Sequence, residues 1–495
     1  MSCGRLARGR GCRKGDAAFR VRLHAPASAG DRQRDPAAPA DLHAAAYART
    51  MGGQDIPIAA ARARHPELPP AWCRSPRRLA GERRMSIPFS PDRFWRSLEE
   101  MARIGATPDG GVRRLALSAE DTEARALLRD WGLAAGCSVE VDRLGSMYLT
   151  YAGADPGAAP VAVGSHLDSV PTGGRYDGPY GVLLGLEILR ALHEAGRRTR
   201  APITVVNWTN EEGSRFSPSM SASGGAMGLI DEAKVLAAPD NFDPSITYGD
   251  ALRQTGWAGD ADPAMARNFA AYYEAHIEQG PILEREGIPI GIVTHCIGVE
   301  QWTLVFTGRD GHVGSPMAGR QDALAAASEL VLALERIAIA TGGMATATRL
   351  TLEPDARGNI PSVVRVAANI RHPDEDGNAR MTAAFREDVA ELAARRGVRV
   401  EIERAGGYPR VPFAPKLLDS LRRAAGAAQL RHRDMPGPIP QDALHVGIVV
   451  PSALMFIPCD GGVSHHPSES ISREWCAAGL AAMGPAVIEA AGGLA

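Results

Sequence analysis

The chain has 495 residues, which exceeds an ordinary single domain and predicts roughly two domains plus a tail. Its composition, 45% hydrophobic and 23% charged, is ordinary for a globular protein. Residues 1–85 carry 16 Arg and one Lys against seven acidic residues, a net charge of +10, so the total of −2 leaves −12 for the remainder. That acidic body argues against nucleic-acid binding, and no apolar run reaches the ~18 residues that a membrane-spanning helix needs.

The cysteines are scattered, with no CxxC pair and no spacing typical of a disulfide framework. This pattern favours a reducing compartment such as the cytoplasm, and thiols that are mostly packed in the core. The seven are Cys3, Cys12, Cys73, Cys137, Cys296, Cys459 and Cys476.

Residues 1–84 form a separate region that is rich in Arg, Ala, Pro and Gly and has little aliphatic periodicity. Such a segment cannot bury enough apolar surface to offset the entropy lost on ordering. It also lacks the apolar stretch of a secretory signal. Three interpretations stay open: an artefactual extension upstream of a true start at Met85, a disordered tail, or an Arg-rich organelle transit peptide.

The segment after Met85 predicts an α/β domain. Its first helical face is formed by apolar residues at helical spacing: Phe94, Trp95, Leu98 and Met101. The apolar run Val161–Ser165 predicts a buried strand, Gly181–Gly196 a helix that ends at a glycine, and Ile203–Trp208 a second buried strand. A strand, a helix and a strand in this order form a βαβ unit, which predicts a mostly parallel sheet.

A different pattern begins at Gln301. The segments QWTLVFTG and VVRVAANIR alternate like half-exposed strands, and DALAAASELVLALERIAI between them predicts an amphipathic helix. Lys416–Leu421 and SALMFIP then return to the first pattern. We therefore predict an inserted α+β domain over 298–411 and a discontinuous α/β domain formed by 85–297 and 412–495.

Polar side chains follow the predicted strands of the first domain. In open α/β sheets, ligands bind beyond the carboxyl ends of the strands, so these side chains are expected to meet at one edge. The motifs that carry them are GSHLD, GGRYDG, NEEG, AHIEQG and GGVSHHP. The candidate residues are histidines and carboxylates: His166, Asp168, Asp177, Glu211, Glu212, His276 and His465.

This set contains nitrogen and oxygen donors and no thiolate, which suits a borderline divalent ion such as zinc, manganese or cobalt. One carboxylate that bridges two ions about 3.5–4 Å apart would give each ion three protein ligands. The adjacent pair Glu211 and Glu212 also has a chemical reason. One carboxylate can bind metal while its neighbour, pointing elsewhere, serves as general base.

Four longer segments resemble the zinc-dependent hydantoinase/carbamoylase amidase family: GSHLDSVPTGGRYDGPYGVLLGLEILRAL, NEEGSRFSPSM, AHIEQGPILEREGIPIGIVT and MFIPCDGGVSHHPSES. The resemblance runs from about Phe94 to the C-terminus. It implies hydrolysis of the carbamoyl amide bond of N-carbamoyl-L-amino acids or of allantoate-like ureido acids, which releases an amine, ammonia and carbon dioxide. The family belongs to the larger clan of aminoacylases and di-zinc carboxypeptidases.

Carried over position by position, the resemblance implies two metal ions per chain. His166 and His276 would hold one ion, Glu212 and His465 the other, and Asp177 would bridge them.

The same resemblance makes Glu211 the general base, which takes a proton from the attacking water and passes it to the leaving nitrogen. It makes Asp168 the carboxylate that orients the His166 imidazole.

The inserted domain matches the family's lid, which also forms its homodimer interface. His312, in GHVGSPM where the family reads HAGTTPM, corresponds to a catalytic histidine that reaches the partner's site. Arg371 corresponds to the residue that binds the substrate carboxylate. Asn359 stands in GNIPS where the family reads NVIPG, and Gln441 replaces the histidine of GHDA. The expected substrate-binding set consists of Arg371, Asn359, Gln441 and Gln279.

Three functions remain open at this point. The first is a carbamoyl amidase acting on a small ureido acid, without nucleic acid or membrane as partner. The second is an aminoacylase or dipeptidase of the same clan, since the altered recognition residues could hold an acyl group. The third is a binding or scaffolding homologue without activity.

Overall fold

The computed structural model describes residues 87–495. The predictions for residues 1–84 and for a start at Met85 lie outside the described residues and stay predictions. Within the described part, the first helix begins at Pro91, capped by the Ser90 side chain, which accepts from the Arg93 amide. Its buried face includes Phe94, Leu98 and Met101, as the helical spacing predicts.

The elements are numbered here in chain order over the described residues. Strands β1 to β15 are Ser138–Val141, Met147–Tyr151, Val161–His166, Ile203–Trp208, Ala271–Ile277, Ile290–Cys296, Gly298–Thr307, Gly311–His312, Met344–Glu353, Asn359–Ile360, Val363–His372, Arg399–Tyr408, Val411–Pro412, His432–Gly437 and Ser452–Ile457. Helices α1 to α12 are Pro91–Met101, Ala119–Ala134, Pro179–Glu194, Ser221–Ala226, Glu232–Leu236, Tyr248–Thr255, Ile282–Glu286, Ala323–Thr341, Glu375–Arg396, Pro415–Ala427, Asp442–Val449 and Arg473–Ala490.

The larger sheet has the strand order β1-β2-β4-β3-β5-β15-β6-β13, with β14 paired to β6. Strands β4, β3, β5 and β15 run parallel to one another at its centre. Every residue of these four strands is buried, which is why β3, β4 and β15 read as mainly apolar runs rather than alternating ones. The predicted βαβ unit of β3, α3 and β4 and the mostly parallel sheet are thereby confirmed.

A second sheet with the order β12-β7-β11-β9 is antiparallel throughout. Strand β7 buries alternate residues, as a strand with one covered face should. Helices α8 and α9 pack on this sheet and form a separate apolar core around Phe306, Leu334 and Phe385. We call residues 298–411 the lid; these boundaries, and those of the α/β domain around them, stay a prediction.

The main core lies between the larger sheet and its helices. It includes the cysteines of the described part, Cys137, Cys296, Cys459 and Cys476, which are buried and free, as predicted. No helix among residues 87–495 is both long enough and apolar enough to cross a membrane.

Candidate active site

The carboxyl ends of the four central parallel strands meet at one edge of the larger sheet, and the candidate residues follow them. His166 is the last residue of β3, and His276 is the penultimate residue of β5. Both imidazoles are fully buried. Each donates from Nδ1 to a backbone carbonyl, His166 to Asp168 at 2.9 Å and His276 to Ile277 at 3.0 Å. Because a carbonyl can only accept, both rings carry a proton on Nδ1, and Nε2 is the nitrogen that faces the site.

The role expected for the Asp168 side chain is therefore filled by its backbone. The Asp168 carboxylate lies 3.9 Å from His166 Nδ1, too far for a hydrogen bond. It accepts instead from the backbone amides of Glu211 and Glu212, at 3.2 and 3.3 Å. Burial raises the pKa of this carboxyl to about 7. Asp168 thus ties the loop after β3 to the loop that carries the glutamate pair.

Asp177 lies in the turn between β3 and α3, where the chain passes close to the His166 ring. Gly178 has a φ of +83°, and a Cβ there would lie 2.4 Å from that ring. The turn is also held from the far end of the chain, since Glu469 accepts from the backbone amides of Tyr176 and Asp177 at 2.9 and 3.0 Å. The sequence GGRYDG therefore does more than make a turn. Gly178 allows the Asp177 carboxylate and the His166 imidazole to approach closely.

The glutamate pair lies in a loop that is pinned by Asn210. This residue adopts a φ of +59°, a conformation that Asn tolerates better than most residues. Its side-chain amide donates to the Phe216 carbonyl at 2.7 Å and to the Ser221 hydroxyl at 2.8 Å. Gln279 and His465 also have positive φ, of +54° each. Left-handed backbone concentrated at one site is typical of functional loops that the surrounding structure holds in place.

The carboxylate of Asp177 lies between two groups of donors. Its Oδ1 is 3.0 Å from His276 Nε2 and 3.7 Å from His166 Nε2. Its Oδ2 is 3.3 Å from His465 Nε2, which is 3.3 Å from Glu212 Oε2. Two of the possible metal-binding groups in the described residues are consequently His166–Asp177–His276 and Asp177–Glu212–His465. The structure brings all five residues expected to bind metal together.

The donor set fits a divalent cation. His166 Nε2 is buried and has no hydrogen-bond partner, and the buried His276 Nε2 lies 3.0 Å from Asp177 Oδ1. Burial raises the pKa of Glu211 and Glu212 well above the usual value for Glu, and neighbouring carboxylates raise it further. Burial opposes protonation of His276, but Asp177 and Glu274 outweigh it and raise the pKa to about 9. A cation would relieve the repulsion among the acids and compete with that proton for Nε2.

Glu211 faces the first of these groups. Its Oε2 lies 3.6 Å from His166 Nε2, and its side chain is buried. His166, Glu211 and Glu212 form a further possible metal-binding group, so geometry alone allows Glu211 either to bind a metal or to remain beside it. The site opens on the opposite side, at His465, whose side chain is 48% exposed.

Two residues expected to bind substrate, Gln279 and Gln441, and two that the motif assignments did not single out, Ser464 and Glu469, complete the surroundings of Asp177. Gln279 Nε2 donates to Asp177 Oδ2 at 2.7 Å, and the Ser464 hydroxyl lies 2.8 Å from the same oxygen. Gln441 Nε2 donates to Gln279 Oε1 at 2.8 Å. Ser464 and Glu469 stand inside the motif GGVSHHPSES, so their proximity to His465 in the sequence was the available signal.

The lid residues are placed differently. Arg371 on β11 donates to the Pro438 carbonyl and to Asn369 Oδ1, both at 3.0 Å. Burial lowers the pKa of its guanidinium. His312 and Asn359 face each other across the β8–β10 pair, and both are exposed. Among the contacts of the described residues, none joins His312 or Asn359 to the carboxylate–histidine cluster.

Tyr408, which sequence reasoning missed, connects the lid to the glutamate loop. It ends β12, and its hydroxyl lies 3.0 Å from that of Ser219. Its ring also packs on His445. Burial raises the pKa of this phenol, and the nearby Glu211 raises it further, whereas Arg371 lowers it. Tyr408 is therefore close enough to both Glu211 and Arg371 for their charges to act on its hydroxyl.

The comparisons with known proteins agree with this geometry. The profile of peptidase family M20/M25/M40 matches residues 162–488. The chain is 41% identical over 403 residues to the N-carbamoyl-L-amino-acid amidohydrolase of Rhizobium meliloti, covering 81% of this chain and 96% of the relative. It is 32% identical to a ureidoglycolate hydrolase of Oryza sativa subsp. japonica, covering 80% of this chain and 84% of the relative.

A solved structure matches as well. The hydantoinase/carbamoylase family amidase from Burkholderia multivorans is 42% identical and superposes with a TM-score of 0.73. The match covers 82% of this chain and 98% of the other. The family resemblance and the α/β fold expected from the sequence are confirmed. A buried His/Asp/Glu cluster in a member of the M20 family indicates divalent-metal binding. This chain belongs to peptidase family M20/M25/M40 and, within it, to the hydantoinase/carbamoylase amidases.

Proposed function

We propose that the protein hydrolyses the carbamoyl amide bond of ureido acids. N-carbamoyl-L-amino acids are the first substrate class, and allantoate-like ureido acids are the second. The observation that carries the proposal is the position of the Asp177 carboxylate between two groups of donors. Its Oδ1 faces His166 and His276, and its Oδ2 faces His465. The named activities of the relatives, an N-carbamoyl-L-amino-acid amidohydrolase and a ureidoglycolate hydrolase, support the ureido group over a simple acyl group.

Two divalent ions, zinc, manganese or cobalt, are the proposed cofactors. His166 and His276 would hold one ion, Glu212 and His465 the other, with Asp177 shared between them. Such ions supply Lewis acidity, which lowers the pKa of water and polarises a carbonyl group. The unpartnered Nε2 of His166 and the crowded, buried carboxylates support this assignment, because both are costly without a cation.

Glu211 is the proposed general base. Its carboxylate is buried, close to His166, and in a setting that raises its pKa, so it can both accept and return a proton. It would take a proton from the attacking water and deliver it to the nitrogen that leaves. The C–N bond between carbamoyl carbon and amino nitrogen breaks, and the resulting carbamate decomposes to ammonia and carbon dioxide.

Arg371 is the proposed partner of the substrate carboxylate. Two of its N–H groups already bind Pro438 and Asn369, and this fixes the plane of the guanidinium. Its remaining donors can still form a forked pair of hydrogen bonds with a carboxylate. Asn359 is a further proposed substrate contact, as are Gln279 and Gln441 at the cluster itself.

We also propose a homodimer in the cytoplasm, formed through the lid. Strand β9 is an edge of the lid sheet and is exposed along most of its length. It carries Met344 and Leu350, each 40% exposed, and the adjoining helix α8 exposes Leu332 and Ile339 by 66% and 77%. A second copy would cover this apolar edge. It would also bring the exposed His312 of one chain to the site of the other, where a preorganised donor can stabilise a developing oxyanion.

The test is the variant Glu211→Gln. It should retain both metal ions and lose ammonia release from N-carbamoyl-L-amino acids by about 10²–10⁴-fold. Glu123→Gln, at an exposed position on α2, is the matched control and should behave as wild type. Near-wild-type rates in Glu211→Gln would remove the proposed base. Faster release of acetate from N-acetyl analogues than of ammonia from N-carbamoyl substrates would favour an aminoacylase.

A further inference from the structure

A directed chain of hydrogen bonds connects helix α11 to the proposed bridge between the cations. Gln441, the residue before α11, is 2% exposed, and its Nε2 donates to Gln279 Oε1 at 2.8 Å. Gln279 Nε2 in turn donates to Asp177 Oδ2 at 2.7 Å and to Ser464 Oγ at 3.1 Å. Three residues from distant parts of the sequence therefore form one relay that ends on the carboxylate.

The direction of this relay is fixed by chemistry. An ionised carboxylate can only accept hydrogen bonds, so Gln279 must turn its NH₂ group toward Asp177. Its carbonyl oxygen is then left facing Gln441, which must supply a donor. A side chain at position 441 that cannot donate would leave Gln279 Oε1 without this partner. A side chain that only accepts would favour the reversed amide, which places an oxygen against the carboxylate.

The backbone gives Gln279 little freedom to adjust. It is the second residue after β5 and adopts a φ of +54°, in a region that few residues other than glycine occupy. Gln279 also lies beside Cys459, a fully buried residue just after β15. A hydrogen bond between the Gln279 backbone and the Cys459 thiol lowers the pKa of that thiol, although burial raises it overall. The amide head of Gln279 is thus the part that can still turn, and the hydrogen bond from Gln441 holds it in the orientation that Asp177 requires.

We propose that Gln441 is a positioning residue for the metal centre. It fixes the amide orientation of Gln279, which then holds Asp177 Oδ2 toward the cation that Glu212 and His465 would share. This role is additional to the substrate contact proposed for Gln441. The inference rests on the proposed function, because it assigns the relay a task only if Asp177 binds metal.

The experiment measures metal affinity rather than turnover. Full-length chains are titrated with Zn²⁺ and with Mn²⁺ against a chromophoric chelator. Gln441→Met, which has similar length and no donor, should weaken binding of one of the two ions about 10–100-fold, as loss of an outer contact to a ligand typically does. Gln441→His keeps a ring N–H donor and should stay within a few-fold of wild type. Gln429→Met, at an exposed position, is the matched control.

A double-mutant cycle separates the relay from loosened packing. In a Gln279→Met background, Gln441→Met should have little further effect, since its only route to Asp177 is gone. Equal affinity in wild type and Gln441→Met, or effects of the two substitutions that simply add, would overturn the relay. A wild type that binds no cation would overturn both proposals. A wild type that binds two ions but hydrolyses no ureido acid would overturn only the proposed function, and the affinity cycle would still decide the relay.

Discussion

The imidazole of His166 donates from Nδ1 to the backbone carbonyl of Asp168 at 2.9 Å, while the carboxylate of the same aspartate lies 3.9 Å from that nitrogen. The orientation of the ring therefore depends on the backbone of residue 168 and not on its side chain. The side chain has a different partner, the loop that carries the glutamate pair. The Asp168 backbone therefore supports one proposed metal position, through His166, and its side chain supports the other, through the loop of Glu212. The two positions can be tested separately.

Asp168→Asn should affect the second metal position more than the first. The amide offers one acceptor oxygen where the carboxylate offered two, so one backbone N–H of the Glu211–Glu212 pair loses its partner. We expect the ion at Glu212 and His465 to bind about 10–100-fold more weakly, and the ion at His166 and His276 to be nearly unchanged. Chelator titration should resolve one tight and one weakened ion. Equal weakening of both ions would contradict the assignment.

Asp177→Ala should lose more metal than any other single ligand variant. Its two carboxylate oxygens face different donor groups, so one substitution removes a ligand from both proposed sites. His166→Ala and Glu212→Ala each remove a ligand from one site. Elemental analysis after dialysis should give the lowest metal content for Asp177→Ala, with Asp130→Ala, an exposed aspartate, as control. Two retained ions per chain in Asp177→Ala would show that it is not the bridge.

Arg371→Lys should lose efficiency selectively on substrates with a carboxylate. A lysine ammonium is a single point donor and cannot reproduce the forked geometry of a guanidinium, nor the contacts that hold it to Pro438 and Asn369. We expect kcat/KM for N-carbamoyl-L-amino acids to fall about 10–100-fold, in line with a loss of 1–3 kcal/mol in charge-assisted hydrogen bonding. Metal content should be unchanged. The carboxamide analogues, which lack the charge, should respond little, and hydrolysis of these analogues by wild type at the rate of the acids would argue against the contact.

Mixing two inactive variants should restore activity if the sites are shared between subunits. His312→Ala would inactivate the partner's site, whereas His465→Ala inactivates its own. After subunit exchange, about half of the dimers are mixed and each has one complete site, so activity should approach about a quarter of wild type. Analytical ultracentrifugation of each variant checks that dimers still form. Activity that stays at background despite exchange would mean that each chain works alone or that His312 has a structural role.

The local patterns of the sequence were sufficient for the parallel sheet and for the residues at its edge. Strands β3 and β4 are short and fully buried, so their sequences are mainly apolar and can be recognised without tertiary context. Because the carboxyl ends of parallel strands share one edge, the motifs that follow them had to meet, and His166, Asp177, Glu212, His276 and His465 do lie together. Here local patterning and chain direction alone dictate the arrangement.

Tertiary structure decided which atom of each residue faces which neighbour. Nothing in the local pattern distinguishes the carbonyl of Asp168 from its carboxylate as the partner of His166, because both lie two residues away along the chain. The contact between Gln441 and Gln279 joins positions 162 residues apart, and the contact of Glu469 with the Asp177 amide joins positions 292 apart. Such pairs depend on how a strand end and a helix start are packed against each other, and that packing is set by the whole core rather than by either segment.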